Sequence, residues 1–264
     1  MTADFPNTKT VYGPVPSWRF GESLGIDPIF HQSTCSFNCI YCQLGNIEKI
    51  TNEIKEYVPT SKVVEDFKEI LDKKIDVITY SGSGEPTLAA NLGEMVISLK
   101  EMAPEIPQFI LTNATELGNP LVQENLKNMD KVIIKLDAGD EKTFSLVNRP
   151  AEGITLKSVV EGIKSFRKSY KGSVEVQTMF MPIINSNELE AFANILKEIG
   201  PEYVQLNTPK RAYPLSWHRE NRGNHLGIHD HQISNLKVIT KDEAIEIKKK
   251  LEKMTGLNFY SIYK

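Results

Sequence analysis

Cysteine is scarce in this 264-residue chain. There are three, and all lie between positions 35 and 42. An odd number crowded into one loop is a poor disulfide framework, because it cannot staple distant elements. Net charge is nearly absent as well. The chain carries 31 Lys and Arg against 34 Asp and Glu, a formal charge of −3, too little for a global electrostatic footprint for nucleic acid. Long apolar runs are missing: no stretch approaches the roughly 18 residues of a membrane span. The opening MTADFPNTKTVYGPVPSW lacks the basic start and apolar run of a secretory signal. These absences point to a cytoplasmic protein without a membrane partner. There is no low-complexity tract, and 40% hydrophobic with 25% charged residues suits a globular core rather than a disordered chain.

What the chain does have is alternation. Short β-branched runs bounded by Gly, Pro, Asn or Asp read as strands at Ile26–Gln32, Ile75–Gly82, Gln108–Ala114, Lys131–Ala138, Val174–Met181 and Tyr203–Pro209. Amphipathic segments between them read as helices, among them SKVVEDFKEILDKK, NLGEMVISLKEM, TLKSVVEGIKSFRKSY and NELEAFANILKEIG. Near the end, Thr240 with Glu243 three residues on forms a capping box for TKDEAIEIKKKLEKM, and LNFYSIY alternates like an edge strand. Repeated strand–helix–strand units imply parallel strands joined by right-handed crossovers. Six units fall short of the eight that close a barrel. The expected fold is therefore α/β, a partial, open (βα)6 barrel of parallel strands. Residues 1–25 form a lead-in packing on the barrel, 26–209 the barrel itself, and 210–264 a substrate loop, helix and edge strand of the same domain. Active sites in such folds lie at the C-terminal strand ends.

The cysteines are spaced Cys35-x3-Cys39-x2-Cys42, just past the first expected strand. Three thiolates this close can hold one face of a cubane iron–sulfur cluster. No fourth cysteine exists, so one iron is left open to chelate a small molecule. A zinc site completed by His31 is the rival on the same residues.

C-x3-C-x2-C with Tyr41 before the last cysteine resembles the signature of the radical S-adenosylmethionine (SAM) superfamily. The segment Ser81-Gly82-Ser83-Gly84-Glu85-Pro86 is similar to that superfamily's GGEP motif at the end of the second strand. The resemblance implies a [4Fe–4S] cluster on Cys35, Cys39 and Cys42, with SAM bound beside it. It also implies reductive cleavage of SAM to a 5′-deoxyadenosyl radical that takes hydrogen from a substrate. In the superfamily the GGEP segment contacts the SAM amino group, which here assigns Ser83, Gly84 and Glu85 to cofactor binding. YGPVPSWRFGESLGIDP, LTNATEL, KLDAGDEKTF, NRP and VQLNTPKR further resemble the wybutosine-synthesis branch, although the second-cluster cysteines of that branch are absent. Trp18, Phe20 and Glu22 stand where its members commonly carry Arg, Leu and Arg.

Asn113, Lys135, Asp137, Gln177 and Asn207 fall at or near expected strand ends and face the barrel mouth, where they, with Tyr41, could hydrogen-bond SAM. Turn-forming and capping roles are the plain alternative. Ser17, Arg19, Ser23 and Arg149 are further candidates, the arginines for a carboxylate or phosphate. Arg149 could instead pair with Asp140 or Glu141.

The long irregular stretch from Asn207 to Gln232 mixes Lys210, Arg211, Arg219 and Arg222 with Tyr213, Trp217, His218, His225, His229 and His231. It could stack on RNA or close over a small anionic substrate. The expected partners are SAM, a nucleotide, tRNA, metabolite or peptide substrate, and a reductant such as flavodoxin or ferredoxin. The alternatives are a zinc- or cluster-bearing binding module, or transfer of an aminocarboxypropyl group from SAM.

Overall fold

The computed structural model describes residues 9–181, 188–224 and 232–263. Eight strands form one sheet in chain order: β1 (Val11–Ser17), β2 (Gly21–Ile26), β3 (Val77–Tyr80), β4 (Gln108–Thr112), β5 (Lys131–Lys135), β6 (Ser173–Met179), β7 (Tyr203–Asn207) and β8 (Phe259–Ser261). β1 pairs antiparallel to β2, and every other neighbouring pair is parallel. β1 and β8 are the two edges, so the barrel is open, with six parallel strands from β2 to β7 and β8 added beyond them.

The strands read as they pack. VITY in β3 is buried at all four positions, as expected of a parallel strand covered on both faces. Among the described residues there are seven α-helices: α1 (Thr60–Lys68), α2 (Leu92–Met102), α3 (Pro120–Leu126), α4 (Glu141–Val147), α5 (Leu156–Ser169), α6 (Leu189–Ile199) and α7 (Lys241–Thr255). Short α3 and α4 are not evident from periodicity. Each starts on a side-chain cap, Asn119 with Pro120 at the first helical position, and Asp140 to the Thr143 amide. α6 and α7 end on Gly200 and Gly256 in the left-handed conformation, at φ 60° and 72°. The expected Thr240–Glu243 capping box is present. Thr240→Ala is expected to cost about 1 kcal/mol, read as a lower urea midpoint with an unchanged slope.

Two expectations need correcting. The first barrel strand is Gly21–Ile26, not Ile26–Gln32. Pro28 has no N–H for a ladder, and Asp27 Oδ1 accepts the amides of Ile29 and Phe30 at 3.1 and 2.9 Å, folding the chain into a turn. Phe30 then sits at φ 52°. Moreover, the lead-in is no mere packing segment. Val11–Ser17 and Gly21–Ile26 form a hairpin within the sheet, so a boundary at residue 25 cuts through β2.

Candidate functional site

The cysteine loop begins in a two-residue parallel ladder, Thr34–Cys35 against Lys49–Ile50. It then makes two tight turns, Cys42 N–H to Cys39 O at 3.1 Å and Gly45 N–H to Cys42 O at 3.0 Å. The three thiols line one cavity of about 170 Å³, walled also by Phe37, Ile47, Leu111 and Ile133. Burial raises the pKa of all three thiols. Cys35 lies well above its ordinary value with Glu85 adding to the effect, Cys39 is pushed up to about 12 with Asp137 adding, and Cys42 is also raised. Thiolates in so apolar a pocket call for cationic compensation, and soft sulfur donors suit iron–sulfur or zinc.

N–H groups point at the sulfurs of Cys35 and Cys39, and the Leu44 and Gly45 amides act on Cys42. The Phe37 amide lies 3.4 Å from Cys35 Sγ, Asn113 Nδ2 3.5 Å from Cys35 Sγ, and Asn148 Nδ2 3.5 Å from Cys39 Sγ. Such donors surround iron-bound sulfur and tune it. The zinc alternative lacks its fourth ligand, because His31 is exposed beyond the turn, edge-on to Phe30 at 5.1 Å. Among the described residues no three His, Cys, Asp or Glu side chains are grouped to hold a metal ion. The residues present thus fit a cluster better than a single zinc ion.

Asp137 ties the third cysteine's neighbour to the strand ends. Its carboxylate accepts from the Tyr41 hydroxyl, from Asn148 Nδ2 at 2.8 Å and from the Met179 amide at 2.6 Å, and it faces Lys135 Nζ at 3.2 Å. Lys135 Nζ also sits 4.8 Å from the centre of the Tyr41 ring. Asn148 is central here, yet its sequence position marks it only as the residue before Arg149-Pro150. Arg149 itself is exposed and makes no ion pair among the described residues. Asp140 and Glu141 instead serve helix amides.

The GSGEP turn is built inward. Glu85, 3% exposed, accepts from the Thr87 amide and hydroxyl, the Thr112 hydroxyl and the Asn113 amide, at 2.6 to 3.1 Å. Burial raises its pKa against those four donors. Ser83 gives its amide and hydroxyl to Asp27 Oδ2 at 3.0 and 2.6 Å. A Cβ on Gly84 would lie 1.7 Å from the Thr34 carbonyl, so only glycine lets this turn pair with the cysteine ladder. The side chains of Ser83 and Glu85 are therefore spent on the fold, and the turn faces the barrel lumen through Gly82 and Gly84. Asn113 is committed too, donating to Ser36 Oγ at 2.8 Å and accepting from the Thr115 amide and hydroxyl.

A larger cavity of about 420 Å³ occupies the lumen and shares Tyr41, Cys42, Leu111, Lys135 and Gln177 with the cysteine pocket. Gln177, Asn207, Ser17, Arg19 and Ser23 all line it. Gln177 bonds Gln205 at 3.3 Å, and Asn207 Oδ1 accepts the Thr208 amide at 2.9 Å.

The basic segment after β7 turns much of its charge onto its own protein. Arg222 Nη1 bonds Asp27 Oδ2 at 2.7 Å, Arg219 Nη2 bonds the His31 carbonyl at 2.8 Å, and Arg211 Nη1 bonds Gln43 at 3.1 Å. The His218 amide bonds the Leu44 carbonyl at 2.8 Å, so the segment packs on the cysteine loop. His225, His229 and His231 lie outside the described residues. The Asp27–Arg222 pair, 195 residues apart, gave no local signal in the sequence. No helix among the described residues is long and apolar enough to cross a membrane.

Residues 29–196 match the family model of the Radical SAM superfamily. A UPF0026 protein of Synechocystis sp. is 40% identical over 259 residues, covering 97% of this chain and 96% of that protein. Among solved structures, Streptococcus suis SuiB bound to precursor peptide SuiA superposes with a TM-score of 0.63 at 16% identity, over 90% of this chain and 48% of that one. Native anSMEcpe with bound AdoMet gives 0.57 at 17%, over 91% and 64%. The chain thus spans about half of SuiB, and at these identities the likeness is one of fold.

Proposed function

The chain belongs to the radical SAM superfamily and is an enzyme of that type, and on that premise we propose that Cys35, Cys39 and Cys42 hold its [4Fe–4S] cluster and that SAM lies between them and the barrel lumen. The observation that carries this reading is that all three thiols line one apolar cavity sharing a wall with the lumen. Held by these three thiolates, the cluster would supply one electron for reductive cleavage of the sulfonium S–C5′ bond of SAM, the source of the 5′-deoxyadenosyl radical used for hydrogen abstraction.

The protein's own residues do the rest. Asn113, Asn148 and the Phe37 amide direct N–H groups at the sulfurs. The turn lines the lumen at Gly82 and Gly84, where its backbone could meet the SAM amino group. Lys135, Gln177 and Asn207 offer polar atoms to its carboxylate and ribose. The Tyr41–Asp137 hydrogen bond fixes the loop, while Phe37, Ile47, Leu111 and Ile133 keep water away. The electron comes from a small reductant protein of the flavodoxin or ferredoxin kind.

The test is anaerobic. Protein reconstituted with iron and sulfide is given SAM and dithionite, and 5′-deoxyadenosine is measured by mass spectrometry. Its formation above a dithionite-free control is the expected result. Methylthioadenosine in its place would mean that a different SAM bond breaks, as in aminocarboxypropyl transfer.

A further inference from the structure

We propose that the substrate carries an oxyanion, a carboxylate or a phosphate, which docks on Arg19 inside the barrel lumen. The inference rests on the reading of this cavity as the active site of a radical SAM enzyme, and it names what that site takes.

Arg19 belongs to the β1–β2 hairpin turn, at the N-terminal end of β2, and reaches across the open side of the barrel to β7. There its Nη1 donates to Gln205 Oε1 at 2.7 Å. Its Nε is buried with no hydrogen-bond partner. Among the described residues the carboxylate acting on it is Glu175, and that carboxylate is already taken, by Lys131 Nζ and by Gln205 Nε2. The guanidinium is held by a neutral amide and lies over the rings of Phe20 and Trp18, 4.8 and 5.7 Å from their centres, and among the described residues no carboxylate is hydrogen-bonded to it. Burial lowers its pKa to about 10, which leaves it charged at neutral pH. Arg19 lines the lumen, and a planar guanidinium is the group that receives carboxylate and phosphate in parallel hydrogen bonds.

The surrounding wall agrees. Lys135, Gln177 and Gln205 stand side by side on β5, β6 and β7 by strand register. Gln205 Oε1 accepts from both Arg19 and Gln177. A polar belt thus crosses the lumen from Lys135 to Arg19. Among the described residues lining this cavity, Arg19, Lys135, Lys210, Arg211 and Arg222 are cationic and none is Asp or Glu, although Asp137 faces Lys135 and Asp27 pairs with Arg222 from behind the wall. The cavity, of about 420 Å³, is of small-molecule size and is shared with SAM on the reading above. A molecule anchored at Arg19 would extend along the belt towards Cys42, on the wall that the lumen shares with the thiol pocket.

The test uses reconstituted protein saturated with SAM, titrated calorimetrically with inorganic pyrophosphate and, separately, with malonate. Wild type should bind at least one of them at a single site. Arg19→Gln should weaken that binding at least tenfold, Arg19→Lys should recover part of it, and SAM affinity should stay within twofold in both variants. The tighter probe distinguishes a phosphate from a carboxylate substrate. If Arg19→Gln does not hold its cluster, protection of wild-type Arg19 from phenylglyoxal by the same probe, read by peptide mass spectrometry, takes its place. Wild type that binds SAM but neither probe, equal binding by Arg19→Gln, absence of protection, or loss of SAM affinity along with probe affinity would each overturn the inference. Wild type that fails to bind SAM at all would overturn the reading beneath it.

Discussion

Cys39→Ala is expected to bring 5′-deoxyadenosine formation down to background and to remove the brown iron–sulfur absorbance near ~400 nm after reconstitution. Cys39 is the middle one of the three cysteines, and the chain has no fourth to replace it. The loss should be one of cofactor, not of fold. Cys39 is only partly buried, so removing one sulfur leaves a void smaller than those that cost several kcal/mol. Far-UV circular dichroism of the variant should therefore match wild type while iron content falls. A variant that loads iron normally and cleaves SAM at the wild-type rate would remove Cys39 from the ligand set. A zinc-only preparation that stays colourless under anaerobic reconstitution would remove the cluster altogether.

Arg222→Met should cost about 3 kcal/mol of stability in the cofactor-free protein, the lower end of the ~3–5 kcal/mol expected when one partner of a buried ion pair is removed. The pair is thoroughly enclosed, with side chains 2% and 0% exposed. Breaking it leaves the Asp27 carboxylate inside without its cation. The amides of Ile29, Phe30 and Ser83 and the Ser83 hydroxyl still donate to Asp27, which is why the lower end applies. Urea denaturation under reducing conditions measures the loss. The double variant Asp27→Asn/Arg222→Met should be less destabilised than the sum of the two single changes, since no buried charge is then stranded. Simple additivity would mean that the two residues act independently.

What the sequence made legible was local. The Thr240–Glu243 box, the apolar runs of β3 to β7 and the crowding of three cysteines are patterns within a few residues, and each has a physical period or spacing. β2 was harder. GESLGI holds two glycines and a glutamate, and it is a strand because β3 offers it a parallel ladder from Ser23 to Ile26. The more apolar run beginning at Ile26 is turned aside by Asp27 and Pro28. The orientation of Glu85 was also hidden. A carboxylate in a glycine turn reads as a ligand for an ammonium group, but its four donors come from Thr87 and from the end of β4, and only the folded chain brings them together. Asn148 and the Asp27–Arg222 pair fall in the same class. Sequence periodicity records which face of an element is apolar, not which distant polar group will arrive there.

The order in which the site is assembled matters to how the protein is made. Asn113 and Asn148 meet the sulfurs of Cys35 and Cys39 across 78 and 109 residues of chain. At ribosomal speeds of roughly 5–20 residues per second, the thiols are synthesised on the order of 5–20 s before the second of these donors exists. During that interval the nascent loop has neither its apolar walls nor its amide donors, and its cysteines face whatever oxidants and metal ions the compartment holds. On the reading proposed above, a cluster loaded onto this loop would find its donors in place only after translation of β5 and α4, well after the cysteines themselves emerge.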